Sequence, residues 1–249
     1  MKQTEYTLSE HRLGKSLRFA IVSDLHGSDP QPVLRALNEK KPDYILMPGD
    51  IFERLNGEDS PRRENALTLL RGAAALAPTF YSTGNHEDGG TRSWDPRWRK
   101  RIKKRDYHPR DLEAIAESGA ILLNNAWTVK DGIAFGGLSS GLILEGGRPE
   151  TGWLEGFCAV DAPKVLLCHH PEYYEDYLEA LPIDLIVSGH AHGGQWRFFG
   201  RGVFAPGQGI FPKYTAGVHD DRLVISTGLK PSGKIPRIFN EPEVVFVNA

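Results

Sequence analysis

Cysteine is almost absent from this chain, which has two in 249 residues, Cys158 and Cys168. That excludes a disulfide framework, and their spacing fits no zinc motif. Both are expected to be reduced, mostly buried thiols. Long apolar runs are missing too, and no stretch approaches the roughly 18 apolar residues of a membrane span. The opening residues, MKQTEYTLSEHRLGKSLRF, carry charge throughout and offer no apolar core for a signal peptide. A cytoplasmic setting is therefore the expectation. Nor is there a surplus of either charge. The formal net charge is −2, so the chain as a whole is not built to coat nucleic acid.

What is present fits an ordinary globular protein, with 40% apolar and 25% charged residues. No internal repeat or low-complexity linker divides the chain, so residues 1–249 are expected to form one domain. Short apolar runs alternate with segments of helical spacing, the pattern of an α/β fold. Leu17–Ser23 reads as a buried strand stopping at Asp24-Leu25-His26, and Tyr44–Met47 as one ending at Pro48-Gly49-Asp50. Thr79–Ser82 runs into Gly84-Asn85-His86-Glu87, Val165–Cys168 into His169-His170-Pro171, and Leu185–Ser188 into Gly189-His190-Ala191-His192. Helices are expected over Gln31–Lys40, Arg62–Leu76 and Glu172–Leu181. Trp127–Val129 and Ile133–Gly136 read as a hairpin turning at Asp131-Gly132. Leu223–Ser226 and Val244–Val247 add two late strands.

Five of these strands end in a loop carrying Asp, His or Asn, and six of the nine histidines lie in those loops. In open α/β sheets, ligands sit outside the carboxyl ends of the strands. Side by side, the five ends would form one pocket of hard and borderline metal ligands. Asp24 and His26 flank Leu25, and His190 and His192 flank Ala191, so extended backbone would turn each pair to one side. Mixed carboxylate and imidazole ligands suit manganese, iron or zinc.

The ordered blocks Asp24-x-His26, Gly49-Asp50, Gly84-Asn85-His86-Glu87, His169-x-Pro171 and Gly189-His190-x-His192 resemble those of the calcineurin-like metallophosphoesterases. The resemblance implies a four-layer α/β/β/α sandwich with two mixed β-sheets and metals at one edge. It further implies that Asp24, His26 and His192 hold one divalent ion and that Asn85, His169 and His190 hold a second. Asp50 would bridge the two. A hydroxide shared by the ions would be the nucleophile, and manganese is the expected metal. His86 would protonate or hydrogen-bond the leaving oxygen. Glu87 would orient an imidazole from behind. The His-x-Pro block selects His169 over His170, which would lie behind the ligands or at the rim.

Protein phosphatases of this class carry GDxVDRG where this chain has Gly49-Asp50-Ile51-Phe52-Glu53-Arg54-Leu55. Arg54 falls where a phosphate-binding arginine would, but Glu53 and Leu55 depart from the motif. Gly189–Gln195, Phe211–Gly217, Ile235–Arg237 and Glu241–Glu243 are closer to a bacterial phosphodiesterase subfamily that includes UDP-2,3-diacylglucosamine pyrophosphatases. This resemblance implies a phosphodiesterase or pyrophosphatase acting on a phosphorylated small molecule or lipid-linked substrate. An insertion at about 88–110 is strongly basic, with nine Lys or Arg against two Asp between Arg92 and Arg110. Nuclease action through that segment, or a metal-binding scaffold without catalysis, are the alternative expectations.

Overall fold

The computed structural model describes residues 1–9, 13–53, 60–87, 91–95, 100–104, 109–141, 148–205, 208–230 and 236–249. One six-stranded sheet is built from β1 (Lys2–Thr7), β2 (Arg18–Ile21), β3 (Tyr44–Met47), β4 (Thr79–Tyr81), β7 (Ile121–Leu122) and β18 (Glu243–Asn248), in the order β1-β18-β2-β3-β4-β7. From β2 to β7 the strands run parallel, while β18 enters antiparallel to β2. The N-terminal segment, which sequence pattern alone leaves unassigned, pairs parallel with β18 from Lys2 opposite Glu243 to Thr7 opposite Asn248.

The second sheet holds β8 (Ala126–Lys130), β9 (Ile133–Leu138), β10 (Lys164–Cys168), β11 (Leu185–Ser188), β16 (Gly217–His219) and β17 (Leu223–Ile225), in the order β16-β17-β11-β10-β9-β8. β9, β10, β11 and β17 are mutually parallel. The expected β8–β9 hairpin is present, and Asp131 and Gly132 at its turn both have positive φ, 51° and 79°. Two left-handed residues match the right-handed twist of the flanking strands.

Alternation along the strands divides the apolar side chains between layers. Phe19 and Ile21 of β2 point between the sheets with Leu46, Phe80, Phe135, Leu167 and Val187. There Phe80 and Phe135 stack at 3.9 Å between centroids, each fully buried and worth about 1.5–3 kcal/mol by area. Ala20 and Val22 point the opposite way, under α1 (Gln31–Lys40) and α2 (Pro61–Leu76). On the far side, Leu166 and Ile186 pack under α4 (Leu154–Cys158) and the π-helical turn Tyr174–Leu178. The expected longer helix over Glu172–Leu181 contracts to that turn. Ser60 caps α2 by accepting from the Arg62 N–H at 3.3 Å, with Pro61 opening the first turn. Helix, sheet, sheet and helix thus form the four expected layers.

The remaining helix, α3 (Pro109–Glu117), precedes β7. Of the basic segment, the backbone of Thr91–Asp95 (β5) and Lys100–Lys104 (β6) forms an antiparallel ribbon. Short ribbons follow β11: β12 (Arg197–Phe198) with β13 (Arg201–Gly202), and β14 (Phe204–Ala205) with β15 (Gly209–Ile210).

Candidate metal centre

The loops after β2, β3 and β4 meet those after β10 and β11 at one end of the sandwich. Backbone bonds fasten them together: Asp24 N–H donates to the Gly49 carbonyl (3.2 Å), His26 N–H to that of Asp50 (3.0 Å), and Gly189 N–H to that of His169 (3.2 Å). The strand of Asp24 stops at Ile21, so the extended alternation expected for Asp24 and His26 does not exist. Instead Asp24, His26, Asp50, His190 and His192 all adopt left-handed backbone, with φ between 46° and 63°. Such backbone costs about 1–3 kcal/mol per non-glycine residue and is held only where surroundings enforce it. Two glycines permit the close approach. A Cβ on Gly84 would lie 2.3 Å from Asp50 Oδ1, and one on Gly189 would lie 2.5 Å from Asp24 Oδ2.

Asp24, His26 and His192 offer ligand atoms within 4.8 Å of one another, as do Asp24, Asp50 and His169, and His169, His170 and His190. Asp50 Oδ2 lies 3.8 Å from His26 Nε2, 3.3 Å from His169 Nε2 and 3.9 Å from His86 Nε2. Asn85 Oδ1 is 3.2 Å from His169 Nε2. His169 and His192 are oriented from behind, with each Nδ1 donating to a carbonyl, of Pro48 at 2.7 Å and of Lys230 at 2.6 Å. Each Nε2 therefore faces the cluster, as an imidazole ligand requires.

The donors fit divalent metal ions. Among the described residues neither buried ring nitrogen of His26 has a hydrogen-bond partner, and a cation would satisfy one of them. Burial pushes His26 down to about 4 and also lowers His190 and His192, keeping these rings in the neutral form that binds metal. Burial alone would raise the Asp24 and Asp50 carboxyls, but the neighbouring imidazoles reverse this and keep both ionised. His169 behaves differently. Burial opposes its protonation, yet Asp50 beside it lifts it to about 10, so without metal it shares a proton with that carboxylate.

The surrounding residues differ in part from expectation. Among the described residues Glu87 is hydrogen-bonded to no imidazole. Its carboxylate accepts the backbone N–H groups of Asp50 (2.8 Å), Phe52 (3.0 Å) and Gly84 (2.8 Å), clamping two of the loops. His170 is buried, not at the rim; its Nε2 lies 2.6 Å from Ser140 Oγ and its Nδ1 3.0 Å from Glu172 Oε1. Arg54 lies outside the described residues.

Glu53, which the motif comparison set aside, stands inside the site. Its Oε1 is 2.9 Å from His86 Nδ1, and its Oε2 accepts from Lys230 Nζ at 2.9 Å. Burial tends to raise its carboxyl, but His86 and Lys230 bring it down to about 2. Its closeness to Asp50 in the sequence was the available signal. Lys230 comes from a sixth strand end, that of β17, whose loop also supplies the carbonyl that holds His192. The apolar run Leu223–Ser226 carries no ligand residue at its end, so nothing in the sequence marked it.

A family model described as "Calcineurin-like phosphoesterase" matches residues 17–194, which include every proposed ligand. An uncharacterised metallophosphoesterase of Aquifex aeolicus is 26% identical, over 99% of this chain and 91% of that protein. A transmembrane protein with a metallophosphoesterase domain from Danio rerio is 26% identical over 72% of this chain. This chain covers 41% of the Danio rerio protein and 43% of a like-named Bos taurus protein, less than half of either. Among solved structures, TT1561 of Thermus thermophilus aligns with a TM-score of 0.48 at 13% identity, over 70% of this chain and 82% of that one. The chain belongs to the calcineurin-like phosphoesterase family.

Proposed function

We propose that the protein is a dinuclear metal-dependent hydrolase that cleaves a phosphodiester or pyrophosphate linkage. The observation that carries this reading is the placement of one carboxylate, Asp50, against both His26 and His169, at 3.8 and 3.3 Å. Asp24, His26 and His192 would hold one ion, Asn85, His169 and His190 the other, and Asp50 both. Bound there, the ions would supply an activated water as nucleophile and neutralise charge on the phosphoryl oxygens. Manganese suits this oxygen and imidazole set best, with iron and zinc as alternatives.

His86 donates a proton to the leaving oxygen. Asp50 and Glu53 favour its charged form, and Glu53 fixes its tautomer. Lys230 balances Glu53, and Glu87 holds the Asp50 loop against the Asn85 loop. The likeness of Gly189–Gln195 and Phe211–Gly217 to the phosphodiesterase subfamily supports a diester or pyrophosphate over a monoester, on a small or lipid-linked substrate. Among the described residues no helix is long and apolar enough to cross a membrane. Both cysteines are free thiols, which supports the cytoplasmic assignment.

A nuclease variant rests on the β5–β6 ribbon, which carries Arg92, Lys100, Arg101, Lys103 and Lys104 on adjacent strands. The test is hydrolysis of bis-p-nitrophenyl phosphate, p-nitrophenyl phosphate, a nucleoside pyrophosphate and single-stranded DNA by metal-stripped protein. Manganese, zinc and magnesium are restored separately, with Asp50→Ala as control. Metal-dependent cleavage of the diester or pyrophosphate, lost in Asp50→Ala, is expected. Faster cleavage of DNA would select the nuclease. No turnover by protein carrying two ions would leave a scaffold.

A further inference from the structure

Arg237 and Glu243 lie in two segments of the phosphodiesterase likeness that the ligand set leaves unused. The structure brings both side chains to the loop after β17, residues 227–230. Nη2 of Arg237 lies 2.6 Å from the Thr227 carbonyl oxygen, 3.1 Å from that of Gly228 and 2.9 Å from that of Lys230. Its two N–H bonds are shared among three acceptors. Glu243 Oε1 accepts the Thr227 N–H at 2.9 Å. On its other side the loop meets the strand end that bears Asp24. Leu229 N–H donates to the Ser23 carbonyl (3.2 Å) and Lys230 N–H to that of Asp24 (3.0 Å). Gly228 permits this approach, since a Cβ there would lie 2.7 Å from that of Asp24.

The Lys230 carbonyl is the one to which His192 Nδ1 donates, at 2.6 Å. Arg237 and the His192 ring therefore share one acceptor, and the guanidinium fixes where that acceptor stands. The same tail grips the His192 backbone, where Asn240 Nδ2 donates to the His192 carbonyl at 2.7 Å. Three carbonyl oxygens that converge on one point repel one another unless a cationic donor lies between them. Burial brings Arg237 down to about 10, so it stays charged at neutral pH. Fold stability alone does not account for this residue. Its Nε and Nη1 are buried without a hydrogen-bond partner among the described residues, and unanswered buried donors are destabilising. An apolar side chain would avoid that cost but could not hold the carbonyls.

We propose that Arg237 is a positioning residue for the ion of Asp24, His26 and His192. By holding the Lys230 carbonyl it keeps the proton of His192 on Nδ1 and turns the lone pair of Nε2 to the cluster. It acts through His192 and touches no reacting atom. The inference rests on the place of His192 among the ligands. The tautomer it predicts, however, belongs to the metal-free protein and needs no second ion.

The test compares the full chain with Arg237→Met and, as the milder change, Arg237→Lys. In metal-free protein at mildly alkaline pH, heteronuclear NMR correlation spectra of the imidazoles report the His192 tautomer. The Nδ1–H form is expected for the unaltered chain, and a mixture with the Nε2–H form for Arg237→Met. Arg237→Lys keeps a cation near the carbonyls and should shift in the same direction by less; it decides the matter if the methionine variant does not fold. With manganese restored, Arg237→Met should bind the ion at His192 about 10- to 100-fold more weakly. It then carries one ion per chain where the unaltered protein carries two. Electron paramagnetic resonance separates a lone manganese ion from a coupled pair. A pure Nδ1–H tautomer in the folded variants, or two ions bound with unaltered affinity, would overturn the proposal, however much stability the variants lose. An unaltered chain that binds a single ion would contradict the dinuclear reading instead, and the tautomer would still decide the role of Arg237.

Discussion

Nδ1 of His86 stands 2.9 Å from Oε1 of Glu53, and its Nε2 looks toward Asp50, 3.9 Å from Oδ2. Burial disfavours a charged His86, but Asp50 and Glu53 outweigh it and raise the imidazole above its ordinary value. Replacing Glu53→Gln keeps an acceptor and removes an anion. The expected result is a fall in kcat of about 10- to 100-fold with metal content unchanged. The alkaline limb of the pH–rate profile should move to lower pH. An unshifted limb would separate His86 from proton transfer.

Glu87 gathers three backbone donors from two loops. Glu87→Ala leaves the N–H groups of Asp50, Phe52 and Gly84 without this acceptor. Each unpaired buried donor costs about 1–3 kcal/mol, so a loss of about 3 kcal/mol or more is expected in denaturant unfolding of the metal-free protein. A change under about 0.5 kcal/mol, the range of an ordinary surface substitution, would show that the loops hold without it.

Gly84→Ala tests the packing behind Asp50. The new methyl would meet Asp50 Oδ1 at 2.3 Å and its backbone nitrogen at 2.7 Å. The Asp50 carboxylate must then move. We expect a destabilisation of about 1–3 kcal/mol and loss of bound metal, read by elemental analysis of the purified variant. Full metal content with full activity would show that the carboxylate tolerates displacement.

Stability of the metal-free protein should fall on both sides of neutral pH. His169, raised from 6.5 to about 10, stabilises the fold fully below 6.5 and loses that contribution as pH rises toward 10. His26, lowered from 6.5 to about 4, makes the folded state bind fewer protons than the unfolded chain, so stability falls as pH drops from 6.5 toward 4. An ion that displaces the His169 proton should bind more tightly as pH rises and release a proton on binding. Titration calorimetry of manganese in buffers of different ionisation enthalpy reads both effects. Affinity independent of pH would remove His169 from the ligands.

The five chemistry-bearing strand ends and the hairpin at Asp131-Gly132 were legible because each is a local pattern, an apolar run closed by polar or turn residues. The order of the strands was not. β18 inserts between β1 and β2 by pairing residues near opposite ends of the chain, and no local period encodes that choice. The side-chain directions of Asp24 and His26 were misread for a related reason. Period-two alternation applies only to extended backbone, whereas both residues lie beyond the strand in left-handed conformation. Glu53 was hidden by comparison with a motif that has Asp there. A longer carboxylate reaches His86 equally well, and only the fold displays that reach.

The central claim is that two ions flank Asp50, and anomalous diffraction from crystals of the manganese-loaded protein tests it most directly. The account predicts two peaks about 3.5–4 Å apart, one among Asp24, His26 and His192, the other among Asn85, His169 and His190. Asp50 should lie between them. A single peak, or two peaks that do not share Asp50, would contradict it.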